Sequence, residues 1–273
     1  MDLSRYGTGV LGSTIAEFAS SFYFVFCSCV ATTLWPNHTE SSVLFIAVLS
    51  GLILAVVCEC SLEITKACAN PVVTIALYLT QRLDRLRFVF FIPAQILGGV
   101  TGAAFYRLVT PKSSRDETNN KSEIFENDIE LIQGFVIEFL LAVLFIFALF
   151  HVLFSRCAEC CGRNDGSSWK IGSVYTLCVL IDFPYTGGGL NPSFLLGQAI
   201  LRNHWANYDR VDHWVYWTAP ILGGALGGIL YEVWKSAGEL NDIERYSHFK
   251  RMVALLFVLV LVITFAIVVT VAL

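Results

Sequence analysis

Long apolar runs separated by short polar stretches are the feature that most limits what this chain can fold into. A helix needs about 20 mostly apolar residues to cross a bilayer, and it satisfies its own backbone hydrogen bonds in lipid. The composition agrees, because 56% of the residues are hydrophobic and only 15% are charged. We therefore predict membrane spans over residues 10–34, 43–60, 88–108, 131–154, 169–183, 214–233 and 252–273. The last run, 252–273, indicates either a seventh span or a C-terminal membrane anchor.

Two shorter apolar stretches, 71–79 and 192–201, each follow an Asn-Pro pair. Neither is long enough to cross a bilayer. Proline is favoured in the first turn of a helix, where its missing N–H would have no partner, and a preceding Asn is a good N-cap. The pairs Asn70-Pro71 and Asn191-Pro192 therefore predict the starts of two short helices.

These landmarks recur in order along the chain. The two Asn-Pro pairs are 121 residues apart, as are Glu17 and Glu138, which lie inside the first and fourth spans. The Gly-rich stretches 94–99 and 219–224 match at an offset of 125. Ordered recurrence of this kind indicates duplication. Each half has three spans, and an odd number means that the second half enters the membrane from the opposite side, which makes the repeats inverted.

The positive charges predict the orientation. With the N-terminus in the cytoplasm, twelve Lys and Arg residues fall on the cytoplasmic side and six on the other. The glycosylation sequons at Asn37 and Asn120 then both lie on the outer or lumenal side. The net charge of −4 gives no sign of nucleic-acid binding. None of the nine cysteines falls in an outward loop, so we expect no disulfide framework. The cluster at 157–161 is expected to hold unmodified or lipidated juxtamembrane thiols in preference to a metal site.

Three stretches together carry a family resemblance: 70–74 (NPVVT), 185–192 (YTGGGLNP) and 213–217 (HWVYW). With the repeat, they make residues 10–235 similar to the aquaporin (major intrinsic protein) family, and the departures described below resemble its unorthodox, or superaquaporin, subgroup. The resemblance implies an all-α membrane protein, an inverted repeat of six transmembrane helices plus two re-entrant half-helices. It implies a channel domain at 1–235, with repeats at about 10–108 and 131–235, followed by a linker and hydrophobic segment at 236–273. A homotetramer surrounded by membrane lipid is the expected assembly.

By resemblance, Asn70 and Asn191 cap the half-helices and point amide N–H groups into a pore. A passing water that accepts from both turns its hydrogens outward, which interrupts a proton-conducting chain of waters. The facing N-terminal dipoles disfavour cations. Glu17 and Glu138 are expected to brace the re-entrant loops, since intramembrane carboxylates are costly without a role. A proton relay is the alternative, but no second acid lies near either one along its own span.

The selectivity filter of the family is expected at Ser50, Val179, Gly188 and Phe194. The family usually has an arginine at the last of these positions, and here Phe194 replaces it. This filter therefore has no cationic donor, which weakens exclusion of charged species and makes the constriction less polar. Depending on its rotamer, Phe194 either leaves more room or plugs the pore.

These features predict a passive channel for water and small neutral solutes such as glycerol or hydrogen peroxide. The alternative is a degenerate-pore relative with a structural or organellar role and little conductance. A secondary transporter lacks a coupling carboxylate, and an enzyme lacks a Ser-His pair or a metal-ligand set inside the spans. We expect no catalytic residues, metal or cofactor, and residence in the plasma membrane or an intracellular membrane such as the endoplasmic reticulum.

Overall fold

The computed structural model describes residues 9–34, 40–66, 69–112, 130–154, 166–201 and 214–237. Within these ranges the chain forms eight helices and no strand: α1 (Val10–Leu34), α2 (Glu40–Ser61), α3 (Pro71–Leu79), α4 (Arg85–Val109), α5 (Leu131–Phe154), α6 (Ser167–Thr186), α7 (Pro192–Leu201) and α8 (Val215–Ala237). The all-helical class agrees with the prediction. The run 252–273, the sequons at Asn37 and Asn120 and the cysteine cluster at 157–161 lie outside the described residues.

Local capping explains where several helices begin and end. Asn70 caps α3, and its side chain accepts a hydrogen bond from the Val72 N–H. Asp84 caps α4 in the same way, so that helix starts three residues before the predicted 88. Helix α6 continues past the predicted 183 to Thr186, with Pro184 inside its last turn, and ends at Gly187 in the left-handed conformation.

Four helices, α1, α2, α4 and α5, are long and apolar enough to cross a membrane by length and composition. Helices α6 and α8 have 20 and 23 residues but are outside this set. Helix α6 carries Lys170 and Asp182, and α8 carries Glu232 and Lys235. The short helices α3 and α7 have 9 and 10 residues, which is too few to span.

The helices pack as two equivalent sets. Helix α1 packs on α4 in the first repeat as α5 packs on α8 in the second, and α2 meets α6 where the repeats join. Each short helix packs against the last helix of the other repeat, α3 on α8 and α7 on α4. The two halves are therefore interlocked, and the short helices lie between them.

Glycines make the closest helix crossings, and the repeat offsets reappear in them. A Cβ on Gly98 would lie 2.3 Å from the Phe18 carbonyl oxygen, and one on Gly223 would lie 2.3 Å from that of Phe139. The phenylalanines are 121 residues apart and the glycines 125, as in the sequence repeat. Small residues allow this approach of helix backbones in a membrane protein.

Candidate functional site

The N-termini of α3 and α7 meet through crossed hydrogen bonds. The Asn70 side-chain amide donates to the Leu190 carbonyl at 3.1 Å, and the Asn191 amide donates to the Ala69 carbonyl at 3.0 Å. Each Asn therefore bonds the residue that precedes the other Asn. Both side chains are almost fully buried, at 3% and 1% exposure.

Each Asn also caps its own helix. The side-chain oxygen of Asn70 accepts from the Val72 N–H at 2.9 Å, and that of Asn191 accepts from the Ser193 N–H at 3.0 Å. The two amides thus use the oxygen and one N–H, and each retains a second N–H. Two helix N-termini directed at one point concentrate positive electrostatic potential there.

The first repeat holds its loop through a chain of polar side chains. Glu17 on α1 accepts from the Gln95 side chain at 2.5 Å, and Gln95 also donates to the Thr74 hydroxyl at 2.8 Å. The Thr65 hydroxyl and the Ala69 backbone N–H lie beside the same carboxyl group. Glu17 and Gln95 are fully buried. The predicted bracing position of Glu17 thus lies against both α3 and the segment before it.

The second repeat uses different groups. Glu138 on α5 meets the Thr186 hydroxyl at 2.8 Å, and the same hydroxyl also bonds a carboxyl oxygen of Asp182. The other Asp182 oxygen accepts from the Gly189 N–H at 2.9 Å. The Tyr216 hydroxyl donates to the Thr186 carbonyl at 2.9 Å. Glu138, Asp182 and Thr186 are buried, and they hold the segment that leads to Asn191.

Asp182 is the residue that sequence reasoning missed. Glu138 has no acidic neighbour on its own helix, but the fold brings Asp182 of α6 beside it. An alignment of the repeats at the 121 offset offers a signal for it. That alignment pairs Thr186 with Thr65 but pairs an acid, Asp182, with Ser61, so the second repeat has an additional carboxyl group one turn before its threonine. At the 125 offset, Gln95 of the first repeat corresponds to Pro220 of the second. Proline has no side-chain amide, so Pro220 cannot donate to Glu138 as Gln95 donates to Glu17.

The structure brings some of the predicted filter positions together. A Cβ on Gly188 would lie 3.5 Å from Cγ1 of Val179, and Gly188 has a φ of +83°, which favours glycine. Ser50 is 8% exposed on α2, directly before Gly51 at the crossing with α6.

Phe194 takes part in a line of aromatic rings. Its ring packs edge-on against Phe24 with centroids 6.3 Å apart, Phe24 packs against Tyr175 at 5.8 Å, and Tyr175 packs against Phe145 at 5.4 Å. These four rings come from α7, α1, α6 and α5. Phe24 and Phe145 are themselves 121 residues apart. All four are at most 7% exposed, so the rings fill space between the repeats.

Apolar spanning helices, an inverted duplication and two opposed short helices joined at capping asparagines define a polytopic membrane protein with re-entrant segments. The model of the family described as Major intrinsic protein matches residues 6–231. The lens fiber major intrinsic protein of Lithobates pipiens is 34% identical over 220 residues, covering 81% of this chain and 80% of the relative. That of Mus musculus is also 34% identical, covering 80% and 78%.

A solved structure shows the same fold. The X-ray structure of the aquaglyceroporin from Plasmodium falciparum superposes with a TM-score of 0.65 at 21% identity, covering 82% of this chain and 94% of that one. The chain therefore belongs to the major intrinsic protein family and is a transmembrane channel protein.

Proposed function

We propose that this protein is a passive channel for water and small neutral solutes. The observation that supports this best is the crossed pair of asparagine amides at the facing N-termini of α3 and α7. Each amide keeps one N–H for a permeant oxygen. The surrounding positive ends of the two helices favour neutral acceptors over cations.

The filter supports a permeant range wider than water. Ser50, Val179, Gly188 and Phe194 provide one hydroxyl and no charge. A constriction without a cationic side chain provides fewer hydrogen-bond donors to replace the water around a solute. It also presents more apolar surface to the carbon backbone of a solute such as glycerol. Glycerol and hydrogen peroxide are therefore the solutes to compare with water.

The test is permeability in reconstituted liposomes. Shrinkage is followed by light scattering after mixing with sucrose, which reports water, and with glycerol, which also reports solute entry. We expect the wild-type protein to exceed empty liposomes in both, Asn191→Asp to lose permeability, and Phe194→Arg to lose glycerol entry. Phe90→Ala is the matched control, because Phe90 is 51% exposed on the outer face of α4. Wild-type rates equal to those of empty liposomes in every solute would refute a channel for these solutes.

The aromatic line favours a second candidate, a channel of low conductance with a mainly structural role. Phe24 and Tyr175 are only 1% and 2% exposed, which leaves little free space beside them. Under this candidate the wild-type protein is nearly impermeable, whereas Phe194→Ala and Phe24→Ala raise water flow. Under the open-channel candidate those substitutions change solute preference more than rate.

We also propose that the protein assembles as a homotetramer surrounded by lipid, and that it resides in the plasma membrane or an intracellular membrane such as the endoplasmic reticulum. Many large apolar side chains on the outside of the bundle, Leu11, Leu97 and Trp169 among them, are more than half exposed and suit lipid or a neighbouring copy. The mass of the protein in detergent, corrected for bound detergent, tests the assembly.

A further inference from the structure

The Thr186 hydroxyl has too few hydrogens for its two neighbouring carboxyl groups if both of them are ionised. A hydroxyl has one hydrogen to donate. The Thr186 hydroxyl lies within hydrogen-bond distance of Oε1 of Glu138 and of Oδ1 of Asp182. If both groups are carboxylates, the hydroxyl can donate to only one of them. The hydroxyl oxygen and the other carboxylate oxygen then repel each other, because neither carries a hydrogen between them. One proton on either acid repairs this, because the acid then donates to the Thr186 oxygen while the hydroxyl donates to its partner.

Besides Thr186, the pair receives a hydrogen bond from the Gly189 N–H, which is a neutral donor and adds no counter-charge. The second oxygen of Glu138 is buried and has no hydrogen-bond partner among the described residues. The titratable groups that face Asp182 besides Glu138 are Tyr175 and Cys178 of its own helix, and Tyr216 of α8 reaches the Thr186 carbonyl. No described lysine, arginine or histidine is among the groups that act on the pair. Two like charges without a counter-ion in a buried site are costly.

The first repeat is a built-in comparison. Its threonine, Thr65, also lies beside a buried glutamate, Glu17. The position that corresponds to Asp182 is Ser61, whose hydroxyl donates to the Val57 carbonyl of its own helix. Beside its threonine the first repeat therefore has one carboxyl group, that of Glu17, whereas the second repeat has two, those of Glu138 and Asp182.

We propose that Glu138 and Asp182 hold one proton between them through the Thr186 hydroxyl, and that Asp182 is a positioning residue for Asn191 whose action depends on that proton. The link to Asn191 is short. Asp182 accepts from the Gly189 N–H at 2.9 Å, and Gly189 is two residues before Asn191. A Cβ at Gly189 would lie 2.1 Å from the Glu138 carboxyl oxygen, so Glu138 packs closely against the same residue that donates to Asp182. Loss of the proton makes the acids repel each other and displaces the segment that sets the crossed amide bond.

The first test is the pH profile of permeability, and it rests on the proposed function. Water flow into wild-type liposomes is measured from about pH 5 to about pH 9, with each variant normalised to its own value at the acid end. We expect wild type to lose most of its channel-mediated flow as the pH rises. Asp182→Asn supplies a fixed N–H donor to Thr186 and keeps an acceptor for Gly189, so its profile is flat, and Glu138→Gln is flat for the same reason.

Two further variants separate this from general damage. Thr186→Ser keeps the hydroxyl and therefore keeps the wild-type profile. Glu17→Gln neutralises a buried carboxyl group of the first repeat, where no proton is shared, and its profile keeps the wild-type shape. A flat wild-type profile with clear water flow, or an Asp182→Asn profile that matches wild type, overturns the shared proton.

A second measurement does not depend on flow. The infrared spectrum of the reconstituted protein near neutral pH should contain the carbonyl stretch of a protonated carboxyl group that both Asp182→Asn and Glu138→Gln remove and that Glu17→Gln retains. If wild type shows no flow at any pH, the proposed function fails while this band still decides the proton. If no such band is present, the shared proton is wrong even in a conducting channel.

Discussion

The crossed amide bonds predict unequal costs for two equivalent substitutions. Serine is as good an N-cap as asparagine, so Asn70→Ser and Asn191→Ser keep the caps of α3 and α7 and remove only the crossed donors. In Asn191→Ser the Ala69 carbonyl keeps a second donor, the Ser21 hydroxyl at 3.2 Å. In Asn70→Ser the Leu190 carbonyl keeps no donor among the described residues.

The magnitudes follow from that difference. Losing one of two hydrogen bonds costs about 0.5–1.5 kcal/mol, whereas leaving a buried carbonyl unpaired costs about 1–3 kcal/mol. We therefore expect Asn70→Ser to be the more destabilising by about 1 kcal/mol. Adding Ser21→Ala to Asn191→Ser removes the remaining donor, so that combination costs more than the sum of its parts.

The assay is thermal unfolding of the purified protein in detergent, followed by circular dichroism. The wild type, Asn70→Ser, Asn191→Ser, Ser21→Ala and the Ser21→Ala/Asn191→Ser double variant are measured under one condition. The ordering carries the test, since absolute unfolding temperatures depend on the detergent. An Asn191→Ser variant that is as destabilised as Asn70→Ser, or more so, refutes the assignment of Ser21 as the second donor. Wild-type stability in both variants refutes any energetic role for the crossed bonds.

Three further substitutions test packing, an ion pair and a cap by the same unfolding measurement. Gly99→Ala places a Cβ 2.7 Å from a backbone carbonyl oxygen of α7, so we expect a loss of about 1–3 kcal/mol. Gly12→Ala has nothing within 4 Å and should be neutral or slightly stabilising, and a loss there equal to that of Gly99→Ala contradicts the packing argument. Arg82→Met breaks the partly buried ion pair with Glu232 and the stacking of the guanidinium on an aromatic ring 4.0 Å away, and should cost about 1–3 kcal/mol. Glu232→Gln should recover part of that loss in the double variant, because an unpaired, partly buried charge is removed. Asp84→Ala loses an N-cap worth about 0.5–2 kcal/mol, whereas Asp84→Asn keeps it at neutral pH. Burial acts to raise the pKa of Asp84, but hydrogen bonds and charge from the arginine three residues later outweigh it and hold the pKa below the ordinary 3.8. The ionised group therefore stabilises the fold above that value and stops doing so as the pH falls through the lower folded pKa, so Asp84→Asn should show a flatter acid limb than wild type.

Sequence reasoning gave the helices well because the signals are local. The runs 10–34, 71–79, 131–154 and 192–201 match helices at both ends. The other predicted runs differ from the helices at their ends: α2 begins three residues before the predicted 43, and α8 continues four residues past the predicted 233. At α4 and α6 individual residues account for the difference. Asp84 extends α4 by capping it early. Helix α6 passes through Pro184, which removes one i→i−4 hydrogen bond, and continues for two more residues before it ends at Gly187.

The filter roles of Ser50, Val179, Gly188 and Phe194 stay predictions, because they depend on contacts between different helices. Counting back from Asn191 assumes that no residue is inserted between α6 and the short helix, and the count alone cannot show which side chains face one another. The structure places Val179 beside Gly188 and turns Phe194 toward Phe24. Which rotamer Phe194 adopts depends on a ring from another helix, and no local pattern contains that information.

The sequence by itself determined the class of fold, because apolar length, capping pairs and a repeat at 121 residues are properties of the chain read in order. It also determined that two helix N-termini must face each other. Only the tertiary structure decided what meets at that point: Asn70 with the Leu190 carbonyl, Asn191 with the Ala69 carbonyl, and Asp182 with Glu138. These contacts join residues that are distant in sequence. The asparagine contacts depend on how the two repeats pack together, and the contact of the two acids depends on how α5 packs against α6.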